Sequence, residues 1–147
     1  MINKKIKIGI IHGPNLNLLG SRETNFYGKN SLIEINKLII EHFPNIEFFF
    51  FQSNVEGEII NQLHKFSLET DGIIINPAGY SHTSVSIADA ISAINVPVIE
   101  VHISNIFARE SYRHFSLTGS KCNGLICGFG WFSYVLAVYA LMNILNS

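Results

Sequence analysis

At 147 residues the chain has the usual length of one domain, long enough to bury roughly two thirds of its unfolded surface. Its 10 Lys and Arg against 11 Asp and Glu leave a net charge of -1, which supplies no field for nucleic acid or an anionic membrane. Two cysteines cannot build a disulfide framework, and the charged opening before Lys7 leads into too short an apolar run for a secretory signal, so the expected setting is a reducing cytoplasm.

In chain order, a strand is predicted at residues 6–12, followed by a loop from 13 to 30. That exceeds the roughly 12 to 15 residues beyond which a loop in a compact domain is usually functional. A helix at 31–43 opens on a capping box, Ser31 with Glu34, and stops at Pro44. Strand 46–52, helix 56–69, strand 72–76, helix 83–94, strand 97–102 and strand 124–128 follow, by their apolar periodicity. The strands are nearly continuous in Ile, Val and Phe, as strands covered on both faces are. The alternation implies right-handed crossovers and an α/β fold: a single domain over 1–147 with a flavodoxin-like, five-stranded parallel sheet and helices on both faces. The stretch 125–145 poses a membrane question, but Gly128 and Gly130 cut it below the roughly 20 apolar residues that spanning needs. What remains from Trp131 reads as a buried helix of about four turns. A hydrophobic share of 48% with mean hydropathy +0.28 predicts apolar surface left over for subunit contacts, hence a homo-oligomer.

In such sheets ligands bind beyond the carboxyl ends of the strands. The loops there collect Asn15, Arg22 and Tyr27 after the first strand, Asn76 and His82 after the third, and His102, Ser104, Arg109 and Arg113 after the fourth. Singly, each has a duller reading: Asn15 as a turn residue, Tyr27 as a packed aromatic, His82 as a cap for the next helix, the arginines as surface charge. Convergence at the ligand edge favours function. No third ligand joins the two histidines at metal spacing, no HExxH or CxxC occurs, and GxGxxG, GxxxxGK and GxSxG are all missing. Neither Lys7 nor Lys29 offers a buried amine for a Schiff base. No metal or cofactor is expected. A phenol, imidazoles, guanidiniums and amides remain, which are tools for moving protons and holding a carboxylate.

Four ordered segments then carry a resemblance to a known family: 13–23 (GPNLNLLGSRE) with Tyr27-Gly28, 52–58 (QSNVEGE), 76–84 (NPAGYSHTS) with Asp89, and 97–105 (PVIEVHISN) with Arg109. Over nearly the whole chain the sequence resembles type II 3-dehydroquinate dehydratase. The resemblance implies a cofactor-independent hydro-lyase of the shikimate pathway that removes water from 3-dehydroquinate by anti elimination through an enolate, assembled as a dodecamer of four trimers. It implies that Tyr27, as tyrosinate, takes a proton and that His102 protonates the departing hydroxyl. Because free tyrosine ionises near pH 10, a cation is needed beside Tyr27: Arg22, with Arg109 or Arg113. Asn15 would hold a water at the enolate oxygen and Glu100 would orient His102. The substrate would be held by Asn76, His82, Ile103, Ser104 and Arg113, with Asp89 reaching a neighbouring subunit's site. Residues 20–28 would form a lid; the family usually carries Pro where this chain has Thr24. The alternatives are the same reaction in quinate breakdown and a flavodoxin-like binding module without catalysis.

Overall fold

The computed structural model describes residues 4–21 and 24–147. Strands β1 (Lys7–His12), β2 (Glu47–Gln52), β3 (Gly72–Asn76), β4 (Val98–His102) and β5 (Gly124–Cys127) pair in parallel in the order β2-β1-β3-β4-β5. Helices α1 (Thr24–Tyr27), α2 (Leu32–His42), α3 (Glu56–Glu69), α4 (Val85–Ala93) and α5 (Phe132–Leu145) connect or follow them. The chain runs outward from β1 to β2 and returns to place β3 on β1's other side. The strand order therefore reverses between β1 and β3, and above the carboxyl ends at such a point a ligand site is expected.

Alternation along each strand builds two cores. Ile8, Ile10, Ile74, Ile99 and Val101 pack with Ile35 and Ile39 of α2 and Val135, Val138 and Leu141 of α5. Ile11, Ile73, Ile75 and Val98 pack with Ile59, Leu63 and Phe66 of α3 and Ile87 and Ile91 of α4. This two-sided burial explains why the strands lack a polar alternation in sequence.

The predicted elements are all present, with shifts at their ends. Four strands end one residue inside their predicted bounds: Ile6, Ile46, Pro97 and Gly128 lie outside. Pro97 has no N–H for the ladder, and Gly128 turns out of it at φ 98°. The helix expected from residue 83 begins at Val85, because Ser84 is its cap and accepts from the Ile87 N–H at 2.9 Å. The Ser31–Glu34 capping box closes α2 as predicted. The first loop is more ordered than its composition suggests, holding a 3-10 turn at Leu16–Leu18 and the short α1. Thr24 is the first residue of α1, where a helix tolerates Pro without losing a hydrogen bond, so Thr there keeps the turn. No described helix is long and apolar enough to cross a membrane. Neither cysteine forms a disulfide.

Candidate active site

Two loops cross at Gly13. A Cβ there would stand 2.7 Å from the Pro77 carbonyl oxygen and 2.9 Å from that of Asn76, both rigid backbone. Only glycine permits the crossing, which the Gly13 N–H closes by donating to the Asn76 carbonyl at 2.8 Å. Just beyond it Asn15 takes φ 69° and Ala78 takes φ 52°, the only non-glycine residues with positive φ among those described. Both line the same cavity, as backbone strain at a functional site often does. The turn reading of Asn15 is thus correct for its backbone, and its N–H is held by Asn54 Oδ1 at 2.9 Å. Asn76 ends β3, buried, with its Oδ1 accepting from the Ala78 N–H at 3.1 Å.

On β4 the spacing Glu-x-His puts Glu100 and His102 on one face. His102 Nε2 donates to Glu100 Oε2 at 2.8 Å, leaving Nδ1 for the cavity. Glu100 is fully buried, so its charge must be met by donors. Ser116 Oγ donates to Oε2 at 2.6 Å and Thr118 Oγ1 donates to Oε1. Gly119 belongs to the same nest: its N–H donates to Ser116 Oγ at 2.8 Å, and a Cβ there would approach Glu100 Oε2 to 3.1 Å. His82 stacks beside His102 at 6.2 Å between ring centroids. It is not a helix cap: Nδ1 donates to the Phe115 carbonyl at 2.7 Å. Burial lowers its pKa from the ordinary value, against the Phe115 bond that raises it, and the charges of His102 and Arg113 lower it further.

The outer wall comes from the first and fourth loops. Arg109 Nη1 donates to Tyr27 Oη at 2.6 Å and to Ser104 Oγ at 3.3 Å, while its guanidinium lies 4.4 Å from the centre of the Phe26 ring. Arg113 Nε donates to Glu110 Oε2 at 2.5 Å, which fixes it at the rim and holds the Glu110 carboxyl down to about 2. Arg22, expected beside Tyr27, lies outside the described residues. Asp89 sits exposed on α4, away from the cavity.

Asn15, Tyr27, Asn76, His82, His102, Ile103, Ser104 and Arg113 therefore line one open cavity of about 660 Å³, solvent mouth included, and Glu100 lies beneath His102. Convergent polar groups in one concave site suit a small polar molecule. Arg109, left between alternatives by the sequence, donates to the phenol. Ser116 and Thr118 were missed altogether, since hydroxyls in an irregular loop carry no periodic signal. Among the described residues no group of three His, Cys, Asp or Glu could hold a metal ion.

Fold and cavity define an α/β enzyme that handles a small polar substrate with a phenol–guanidinium pair on one side and a histidine–carboxylate pair on the other. The family model Dehydroquinase class II matches residues 6–142. The 3-dehydroquinate dehydratase of Thermoanaerobacter pseudethanolicus is 55% identical over 137 residues, covering 92% of this chain and 93% of that protein. The 3-dehydroquinate dehydratase of Aliarcobacter butzleri is 49% identical over 143 residues, 96% of this chain and 87% of its own. The crystal structure of type II dehydroquinase from Butyrivibrio crossotus superposes with a TM-score of 0.90 at 44% identity, covering 97% and 99% of the two chains. The chain belongs to the class II dehydroquinase family.

Proposed function

We propose that this cavity dehydrates 3-dehydroquinate to 3-dehydroshikimate within the shikimate pathway, and that Tyr27 and His102 are its base and acid. The reaction follows from family membership; the observation that supports the roles is the 2.6 Å Arg109–Tyr27 bond facing the His102–Glu100 pair across one cavity. Arg109, a permanent cation, stabilises the Tyr27 phenolate through a charge-assisted bond, beside Arg22, to which the resemblance gives the same task. The phenolate takes the proton from C2, and the electron pair passes to the C3 oxygen as an enolate. Asn15, through a held water, stabilises that oxygen. Collapse of the enolate forms the C1–C2 double bond and breaks C1–O, and His102 Nδ1 delivers the proton that lets the hydroxyl leave as water. Glu100 keeps the ring oriented and opposes the imidazolium charge.

Asn76, His82 and Arg113 suit the ring hydroxyls, and the Ile103 and Ser104 amides with the Ser104 hydroxyl suit the carboxylate. Residues 1–147 act as one catalytic domain, which the single sheet with a core on each side supports. A homo-oligomer, the dodecamer of the resemblance, is supported by exposed apolar side chains such as Ile33 at 82% and Leu68 at 88%. Within it Asp89 reaches a neighbouring cavity. A cytoplasmic location is supported by the two unpaired cysteines. The binding-module reading is not favoured beside relatives about half identical that are dehydratases.

The test is ultraviolet absorbance of the purified chain with 3-dehydroquinate. Growth of the conjugated-enone band is expected; none from well-folded protein overturns the reading.

A further inference from the structure

Behind the cavity, Asn76 is joined to buried polar residues that the proposed chemistry does not use. His12 ends β1 and Asn76 ends β3, and the two are partners in the parallel register, so both side chains emerge together on the α2–α5 side of the sheet. Tyr134 of α5 bridges them: its hydroxyl is 3.0 Å from His12 Nδ1 and accepts from Asn76 Nδ2 at 3.1 Å. His12 Nε2 is 2.9 Å from Asn36 Oδ1 on α2.

The hydrogens of this chain can be arranged in one way. Asn36 Oδ1 only accepts, so His12 carries its hydrogen on Nε2. Burial holds His12 neutral, its pKa lowered to about 4, so Nδ1 is an acceptor. Tyr134 must then donate its hydroxyl hydrogen to Nδ1, which leaves only lone pairs toward Asn76. Asn76 must answer with Nδ2–H. The other end of the amide agrees, since Oδ1 accepts from the Ala78 N–H. The second Nδ2–H is left for the cavity that Asn76 lines.

We propose that Tyr134, backed by His12 and Asn36, is a positioning residue for the dehydratase: the relay fixes the Asn76 amide so that it presents a donor to a substrate hydroxyl oxygen. The proposal rests on the reading of Asn76 as a substrate-holding residue. A reversed relay would set the Tyr134 O–H against the Nδ2 donor; flipping the amide to accept it would set Nδ2 against the Ala78 N–H and offer the substrate an acceptor.

The experiment is a double-mutant cycle on 3-dehydroquinate turnover with wild type, Tyr134→Phe, Asn76→Ala and the double variant. Because Asn76 holds a group the reaction does not change, Tyr134→Phe is expected to raise KM on the order of tenfold, with kcat within about twofold. In the Asn76→Ala background the same change should move KM less than about twofold. A second arm, Asn36→Leu, alters only a half-buried residue outside the cavity and is expected to raise KM about threefold, again only while Asn76 is present. It decides the matter if Tyr134→Phe does not fold. Equal KM rises in both backgrounds, a loss confined to kcat, or no change overturn the relay. Normal KM in Asn76→Ala overturns the assignment of Asn76 and the relay with it, while wild-type turnover still upholds the reaction; absent wild-type turnover overturns both.

Discussion

His102 and Tyr27 face the same cavity, yet the first ends a strand and is 6% exposed, while the second closes a four-residue helix with no buried residue. Around His102 every group is tied inward: Glu100 to Ser116 and Thr118, Asn76 to Tyr134, Tyr134 to His12. Around Tyr27 the described ties run sideways to a neighbouring loop through Arg109 and the Phe26 ring. The His102 side is thus part of the fold's stability, and the Tyr27 side is added to a fold already complete. Substitutions should separate the two, those in the floor costing stability and those in the wall costing rate.

The largest expected effect is on the wall. Tyr27→Phe should lower kcat by roughly a thousandfold with an unchanged melting temperature. A melting temperature that fell as far as in floor variants would break the comparison. On the floor, His12 is neutral in the folded chain down to about pH 4 but titrates near 6.5 when unfolded. Between those values the unfolded chain binds more protons, so stability present above pH 6.5 is lost as pH falls. At about 1.4 kcal/mol per unit this amounts to the order of 3 kcal/mol, read from urea midpoints at a series of pH values. His12→Asn should flatten that slope, and an unchanged slope would remove His12 as its cause.

Glu100→Gln comes next. It sets an amide N–H against the hydroxyl and imidazole donors of the nest, which should cost about 2 kcal/mol of stability and lower kcat as well. A loss of kcat without loss of stability would place Glu100 with the wall. Ser116→Ala should be smallest, about 1 kcal/mol by denaturant midpoint, since Thr118 and His102 still serve the carboxylate.

What could be read from the sequence follows the same division. Strand and helix positions came from apolar runs and caps, because burial on two faces and an N-cap at Ser31 are local patterns. Glu100 and His102 stood in one legible segment because their relation is a strand spacing of two. The partners of Glu100 lie 16 and 18 residues on, in turns whose course no periodicity encodes. Tyr134 lay within a stretch legible only as a buried helix, although its hydroxyl meets the ends of two strands. Arg109 was visible as one of several arginines, and only the folded loop, 82 residues from Tyr27, selects it. Long-range hydrogen bonds between irregular segments are what local pattern cannot supply.

The crossing at Gly13 has a dynamic corollary. Its N–H, bonded to the Asn76 carbonyl between the two central strands, can meet solvent deuterium only when β1 and β3 part. Amide exchange at that single position should accordingly be among the slowest in the chain and track global unfolding, so that the cavity floor is lost with the whole sheet or not at all.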